Sequence, residues 1–364
     1  MKDISSTGSF VDFTLENFID VDKSVYIPQL VKLKRVFISR PRRFGKSLTL
    51  DTIATLFETG VEPYFKGTWI YDKWKEPTYP VLRLNFLDLD KYSLEHFKQK
   101  LNAIISSFAR DINVKNYEEK VEPEDTIYFL LDELRKEKRQ IVILIDEYDC
   151  QMTANINNET LYKQFQEKIK SFYATIKNKW PIKFLGITGV TRLKDVEIFS
   201  IGSDIRDITN ASAYSQMIGF TRDEIKKYYI DYLKLASSYE NNCSVDNVTD
   251  EQIESMLDMI AQNYDGYCFD EFYKKKVFST WSVNSFFQSI IENKFVDFGD
   301  YWYDNGGLPS ILVNYLKTHK LNSLDYVEKD KTITIRVNDF KNPTSLTSIN
   351  QNVLMCQTGY LTLR

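Results

Sequence analysis

Five consecutive residues, Ile141-Val142-Ile143-Leu144-Ile145, are β-branched or leucine, and the run ends in the carboxylate pair Asp146-Glu147. A strand of this kind has no polar side to turn to water, so it must lie in a sheet covered on both faces. That requirement selects a parallel sheet flanked by helices, and the first two-thirds of the chain supplies both. Val36 to Ser39 and Tyr79 to Phe86 read as strands before it, and Lys183 to Thr188 as one after it. Between them, apolar residues at helical spacing run over about Lys46 to Glu58, Ser93 to Ala109, Thr126 to Lys136 and Thr160 to Ile176. Strand and helix in alternation predict the α/β class.

The first strand opens into Arg40-Pro41-Arg42-Arg43-Phe44-Gly45-Lys46-Ser47 and then a helix. Gly-Lys-Ser in that setting ends a phosphate-binding loop, because the free N–H groups of a helix start and its dipole both favour an anion. Arg42, Arg43, Phe44, Gly45, Lys46, Ser47 and Leu48 are the expected nucleotide contacts, with Lys46 reaching the β- and γ-phosphates and Ser47 holding Mg²⁺. The first glycine of the usual G-x-x-x-x-G-K-[ST] pattern would fall at Arg40. Arg40, Arg42 and Arg43 are expected to add positive charge toward a polyphosphate.

Asp146 and Glu147 complete the pattern: the first to hold Mg²⁺, the second to polarise an attacking water. They follow the loop by roughly a hundred residues with one strand between. This is the order of a P-loop NTPase of ASCE type, whose cofactors are ATP and Mg²⁺. On the next strand Thr188 is the expected polar sensor of the γ-phosphate, with Arg192 as the cationic alternative; Asp149 is a further acid, suited equally to positioning the loop and to touching the metal.

The texture changes at Gly219-Phe220-Thr221. Helical runs over about Thr221 to Leu235 and Glu251 to Gln262 lead into an aromatic stretch and a helix over Ser310 to Lys317. The tail reads as strand (Ile333 to Val337), helix (Ile349 to Cys356) and strand (Tyr360 to Leu363). The expected domains are a P-loop core over residues 1–220, a helical lid over 221–317, and a partial winged-helix-like tail or linker over 318–364. With 23 Tyr and 24 Phe the chain is rich in aromatics, which the lid needs to pack on the core.

Charge and composition remove alternatives. Against 47 basic residues stand 51 acidic ones, net −4, so bulk charge gives no reason to expect nucleic-acid binding by this chain alone; a local basic patch would have to carry it. Two histidines and four cysteines without C-x-x-C spacing speak against a zinc site or a histidine base. No stretch approaches the ~20 apolar residues of a membrane span, and no apolar leader opens the chain, which predicts a cytoplasmic protein with no membrane partner.

These residues resemble a family, the predicted AAA-ATPase-like proteins, whose members are frequently fused to a C-terminal PD-(D/E)xK nuclease-like domain. The likeness covers nearly the whole chain: Phe18-Ile19-Asp20-Val21-Asp22-Lys23-Ser24, the altered loop Arg40 to Ser47, Leu144 to Asp149, Thr188 to Leu193, Phe199 through Asp207-Ile208-Thr209 to Thr221, Tyr264-Asp265-Gly266-Tyr267, and Gln357 to Thr362. It implies that the glycine missing at Arg40 is a family trait. Gly307-Leu308-Pro309 is similar to the GxP element of STAND ATPases, whose proline lies against the base, and Asp22 falls in the segment where such folds place base contacts. Two departures are Ser279-Thr280, where the family often has Asn-Pro, and the last residue, Arg364, where members with the nuclease-like domain continue. The resemblance implies ATP hydrolysis that drives conformational change in an attached or partner module. The alternative is a nucleotide-gated switch or interaction protein with little turnover, and a third reading is a nucleic-acid machine acting with a nuclease.

Overall fold

A parallel sheet of five strands carries the chain: β1 (Arg35–Ser39), β2 (Val81–Asn85), β3 (Ile141–Asp146), β4 (Ile182–Gly189) and β5 (Arg206–Asp207), in the order β2-β3-β4-β1-β5. The computed structural model describes residues 1–5, 7–192, 204–264, 266–301, 310–319, 332–336, 340 and 349–363. All six residues of β3 and all five of β1 are buried, as a strand covered on both faces requires. β4 stands between β1 and β3, so the strand that ends in Asp146 is separated by one neighbour from the strand that enters the phosphate loop. This order and the loop that follows β1 make the chain an α/β P-loop NTPase fold.

The alternation of side chains along each strand divides the core in two. Phe37, Ile143, Ile145, Leu185 and Ile187 join one apolar cluster, with α4 (Leu94–Asp111), α5 (Pro123–Lys136) and α7 (Glu159–Ile176). Val36, Ile38, Val142, Leu144 and Phe184 face the other, with α1 (Phe10–Leu15), α2 (Ile27–Leu33) and α3 (Lys46–Thr59). The short helix α6 (Cys150–Ala154) lies between β3 and α7. Caps fix where the helices start: Ser93 Oγ accepts from the His96 N–H at 3.3 Å, and Asn158 Oδ1 from the Leu161 N–H at 3.2 Å.

A third cluster holds Ile225, Tyr229, Leu233, Met256, Leu257, Phe286 and Phe287 from α8 (Arg222–Tyr228), the residue after it, and α9 (Ile230–Glu240), α10 (Asp250–Tyr264) and α11 (Thr280–Asn293). The single helix expected over Thr221 to Leu235 is two, because the backbone breaks at Tyr229 (φ −109°). Ile19 and Val21 of the N-terminal arm also belong to this cluster. α11 and the antiparallel hairpin of β6 (Tyr267–Cys268) and β7 (Lys276–Val277) were not legible in the sequence.

In the tail, the helix Gln351–Gln357 follows its Asn350 cap as expected. The two flanking strands do not form among the described residues: 332–336 has no ladder partner and 360–363 is a bend. Tyr360 and Leu361 instead follow the end of that helix, their N–H groups bonded to the Met355 carbonyl. Much of 318–364, including Val337, lies outside the described residues. No helix among the described residues is long and apolar enough to cross a membrane.

At the end of β4 the packing leaves no room for a side chain. A Cβ on Gly189 would stand 2.6 Å from a ring carbon of Tyr148 and 2.7 Å from Asp149 Oδ1. Tyr148 is fixed by its hydroxyl on the Thr191 carbonyl (2.9 Å), and Asp149 Oδ2 by the Thr191 N–H (2.7 Å), so neither can withdraw freely. Gly189→Ala is therefore expected to destabilise the protein by about 1–3 kcal/mol, read as a lowered midpoint in urea denaturation; an unchanged midpoint would show that this corner yields.

Candidate nucleotide site

The loop between β1 and α3 turns through two left-handed residues, Arg43 (φ 66°) and Gly45 (φ 96°). Gly45 is the residue before the helix, and its conformation is one that glycine adopts without steric penalty. From there α3 directs its unbonded first-turn N–H groups, with Lys46 and Ser47, toward the ends of β3 and β4.

Parallel register brings the partners together. Asn85 pairs with Asp146, Ile145 with Ile187, and Ile38 with Thr188, so the ends of the four strands β2, β3, β4 and β1 lie side by side. Ser47 Oγ donates to Asp146 Oδ2 at 2.5 Å, while Thr188 Oγ1 and the Glu147 N–H (2.9 Å) donate to Asp146 Oδ1. Buried Lys46 places Nζ 3.2 Å from the Pro41 carbonyl and 3.4 Å from Glu147 Oε1. Glu147 itself has φ 51°, an uncommon state for a non-glycine residue, and it turns the carboxylate back over the loop.

A cleft of about 600 Å³ opens beside these groups. Arg42 through Thr49 and Glu147 form one wall, Ile19 to Val21 and Met217 to Phe220 another, and Tyr229, Thr280, Trp281 and Asn284 a third. Phe44 is buried edge-on against Tyr267 and Phe269, with ring centres 4.8 and 5.4 Å away, and Leu48 lines the cleft. The Arg43 guanidinium lies 4.3 Å over Trp281, its pKa lowered by partial burial and by Arg42. Its carbonyl accepts from Thr280 Oγ1 (2.9 Å) and from the Trp281 N–H (3.3 Å), binding the loop to the start of α11.

Several sequence expectations are relocated. Arg40 does not point toward a phosphate: it is 1% exposed and turned beneath the loop, where it donates to the carbonyls of Ser39 (2.8 Å) and Thr209 (2.6 Å). Arg192 pairs with Asp207 of β5 and does not line the cleft. Asp22 also stands outside it, its two oxygens accepting from the N–H groups of Ser24 (2.9 Å) and Trp69 (2.6 Å). Asp149 accepts from the N–H groups of Val190 and Thr191 at the end of β4; burial, then the charge of Glu147, raises its pKa. Pro309 lies outside the described residues.

The sequence reading missed the cleft walls supplied by Asp20, Met217, Tyr229, Thr280, Trp281 and Asn284. They come from distant segments with no shared spacing. Asp20 and Met217 stood in segments singled out for the family resemblance and Thr280 in one of the two departures from it, but none of them as a cleft residue.

Comparison with known proteins follows from this geometry. The model of a family described as "Predicted AAA-ATPase" matches residues 5–199. A protein of Azotobacter chroococcum mcd 1, described as an uncharacterized protein in the vnfD 5'region, is 27% identical over 356 residues. The match takes in 96% of this chain and 61% of that protein, so the chain spans less than two-thirds of its relative's length. Among solved structures, Cdc6p from Pyrobaculum aerophilum is similar at a TM-score of 0.36 and 13% identity, over 75% of this chain and 61% of that one.

Asp20 sits in the cleft wall with its pKa raised to about 6, first by burial and second by Asp22, with Lys2 opposing. Its unperturbed value is 3.8. A group that holds its proton more tightly when folded stabilises the fold while protonated, so stability falls as pH rises from about 4 to 6 and stays lower above that. Asp20→Asn is expected to be about 2 kcal/mol more stable than the wild type near pH 7.5 and equal to it near pH 4, measured by urea denaturation across pH. A gap that does not change with pH would contradict this account.

Proposed function

The chain belongs to the predicted AAA-ATPase family, and from that premise we propose that it binds Mg-ATP in the cleft beside Lys46 and hydrolyses it. The reading rests on one arrangement: the Ser47 hydroxyl and the Asp146 carboxylate meet 2.5 Å apart at a helix start, next to the Lys46–Glu147 pair.

The donors suit a hard cation. Mg²⁺ needs one or two protein oxygens, because phosphate and water complete its octahedron. Ser47 and Asp146 are the residues that would hold it, Asp146 through water. When bound, the ion would neutralise charge on the phosphate oxygens.

The remaining steps belong to side chains. Lys46 leaves Glu147 and the Pro41 carbonyl for the β- and γ-phosphate oxygens, helped by the N–H groups at the start of α3. Arg42, Arg43, Phe44, Gly45 and Leu48 line the path of the triphosphate. Glu147, released from Lys46, takes a proton from the water that attacks the γ-phosphorus while the bond to the departing ADP breaks. Thr188, already bonded to Asp146, keeps that carboxylate oriented.

In the larger reading, residues 1–220 form the core and 221–317 a lid that follows the nucleotide state, and 318–364 leads toward an attached or partner module, nuclease-like in many family members. Loop and lid are joined at the Arg43 carbonyl, which supports such coupling. The same contact favours the second reading, a switch that binds ATP and turns over little.

Labelled-nucleotide titration and phosphate release separate these readings. Lys46→Ala is expected to weaken Mg-ATP binding by about 100-fold or more, and Glu147→Gln to leave affinity within a few-fold while slowing release by about 100-fold. Equal affinity of the wild type and Lys46→Ala would overturn the assignment. Tight binding with no steady-state phosphate release by the wild type would select the switch.

A further inference from the structure

The strands are entered, at the end of the sheet away from the phosphate loop, through segments 32–35, 72–80, 135–140 and 177–183. Together these carry twelve lysines and arginines against three acids, in a chain whose net charge is −4. Arg35 pairs with Asp204, Arg135 and Lys136 with Asp132, Arg139 with Glu137 and Lys183 with Glu76, so the surface charge rests on the remaining lysines. The five residues of β1 separate this end from the loop by about 15 Å.

A cavity of about 330 Å³ opens there, between the end of α2, the segment before β2 and the start of β4. Lys32, Lys34, Lys73, Lys75 and Lys183 surround it, with Trp74 between them. Glu76 is held by Lys183 at 2.6 Å, and Lys73 Nζ donates to the Trp69 carbonyl at 3.0 Å. Lys32, Lys34 and Lys75 are exposed and form no ion pair among the described residues. The same end carries exposed Lys138, and Lys179 with Nζ 4.9 Å over the Tyr128 ring. Tyr128 and Trp180 there are 53% and 55% exposed.

Neighbouring strands lie ~4.8 Å apart, so the entries of β1, β4, β3 and β2 extend the basic surface over about 15 Å. That is long enough for several successive phosphates. A positive groove with exposed aromatic rings holds a single nucleic-acid strand without reading its sequence, the amines following the phosphates and the rings stacking on bases. We propose that the strand-entry end of this sheet binds single-stranded nucleic acid through its phosphodiester backbone, at a site separate from the phosphate loop. Such a partner needs a local basic patch, and the fold assembles one from four segments distant in the sequence.

Fluorescence anisotropy of a labelled oligo-dT of about 20 nucleotides tests this with the full chain. The wild type is expected to bind at low salt, with log affinity falling against log salt at a slope of about −2 to −3. Lys32→Glu/Lys75→Glu/Lys179→Glu is expected to lose about 30-fold or more in affinity and Trp180→Ala about 5–10-fold. Mg-ATP binding, unchanged in both variants, reports that they are folded. Inorganic phosphate and sodium polyphosphate are tested alongside as competitors. Polyphosphate binding without oligonucleotide binding would overturn the proposal in favour of a free-phosphate site. No oligonucleotide binding at low salt, or binding that the charge reversals leave intact in folded protein, would overturn it as well.

Discussion

A buried guanidinium at the root of the phosphate loop fixes the parts around it. Arg40 donates to the carbonyls of Ser39, Thr209 and Tyr214 and lies 4.2 Å from the centre of the Phe269 ring. Burial pulls its pKa down to about 9, against the charge of Asp207, so it remains a cation at neutral pH. Taking such a charge from water costs several kcal/mol, which the carbonyl bonds and the ring face must offset. The bond network therefore ties the end of β1 to the segment after β5 and to the loop of the β6–β7 hairpin. Phe44 packs on Phe269 and Tyr267 from the other side. A glycine at position 40 would leave the loop's root to backbone geometry; the arginine anchors it by a side chain.

From that anchor the two sides of the cleft are joined. The Arg43 carbonyl receives the start of α11. On the opposite side, half-buried Lys23 donates to both carboxylate oxygens of Glu224 (2.7 and 2.6 Å) and to the Gln216 carbonyl (2.8 Å). Glu224 is also half of the capping box that starts α8, its carboxylate accepting the Thr221 N–H at 2.8 Å. Burial lowers the Lys23 pKa, while Glu224 works to raise it. The helical cluster thus meets the loop at the Arg43 carbonyl and the N-terminal arm at Lys23, with Ile19 and Val21 of the arm packed into it and Tyr232 and Asn284 bonded to the Lys2 and Ser5 carbonyls. A ligand that moves either contact must move the helices with it, because packed cores shift between discrete arrangements and do not deform continuously.

The sequence made the sheet legible because burial on both faces leaves a local mark: β1, β3 and β4 are apolar runs, and the helices between them carry a 3.6-residue period. That Lys46, Ser47, Asp146, Glu147 and Thr188 come together was legible for the same reason, since each lies where such an element ends or starts. Arg40, Arg192 and Asp22 were misdirected because a charged residue near a loop says nothing about which way it points. Here backbone carbonyls, Asp207 and backbone N–H groups claim them. The break at Tyr229 was hidden because both halves keep the same apolar face. The aromatic residues are only partly explained by the helical cluster of α8 to α11. Tyr229 stacks on Phe287 at 5.3 Å and Phe286 on Phe298 at 4.9 Å. Yet Phe37, Phe57, Phe86, Phe97, Phe165 and Phe184 are fully buried around the sheet.

The net charge conceals an axis in the molecule. In a strand–helix–strand unit the helix runs back against the strands, so helix starts gather at the loop end and helix ends at the entry end. Each helix end carries partial negative charge that favours a nearby cation by about 0.3–1 kcal/mol. Lys32 in the last turn of α2 and Arg135 and Lys136 in that of α5 meet this preference, and Lys177 follows α7 directly. Lys75 and Lys183 do not lie at helix ends, so dipoles account for part of the basic surface and not for its concentration around one cavity. The parallel fold thus offers helix starts to a nucleotide at one end and collects lysines at the other. Averaging the two into a net charge of −4 removes the feature that distinguishes them.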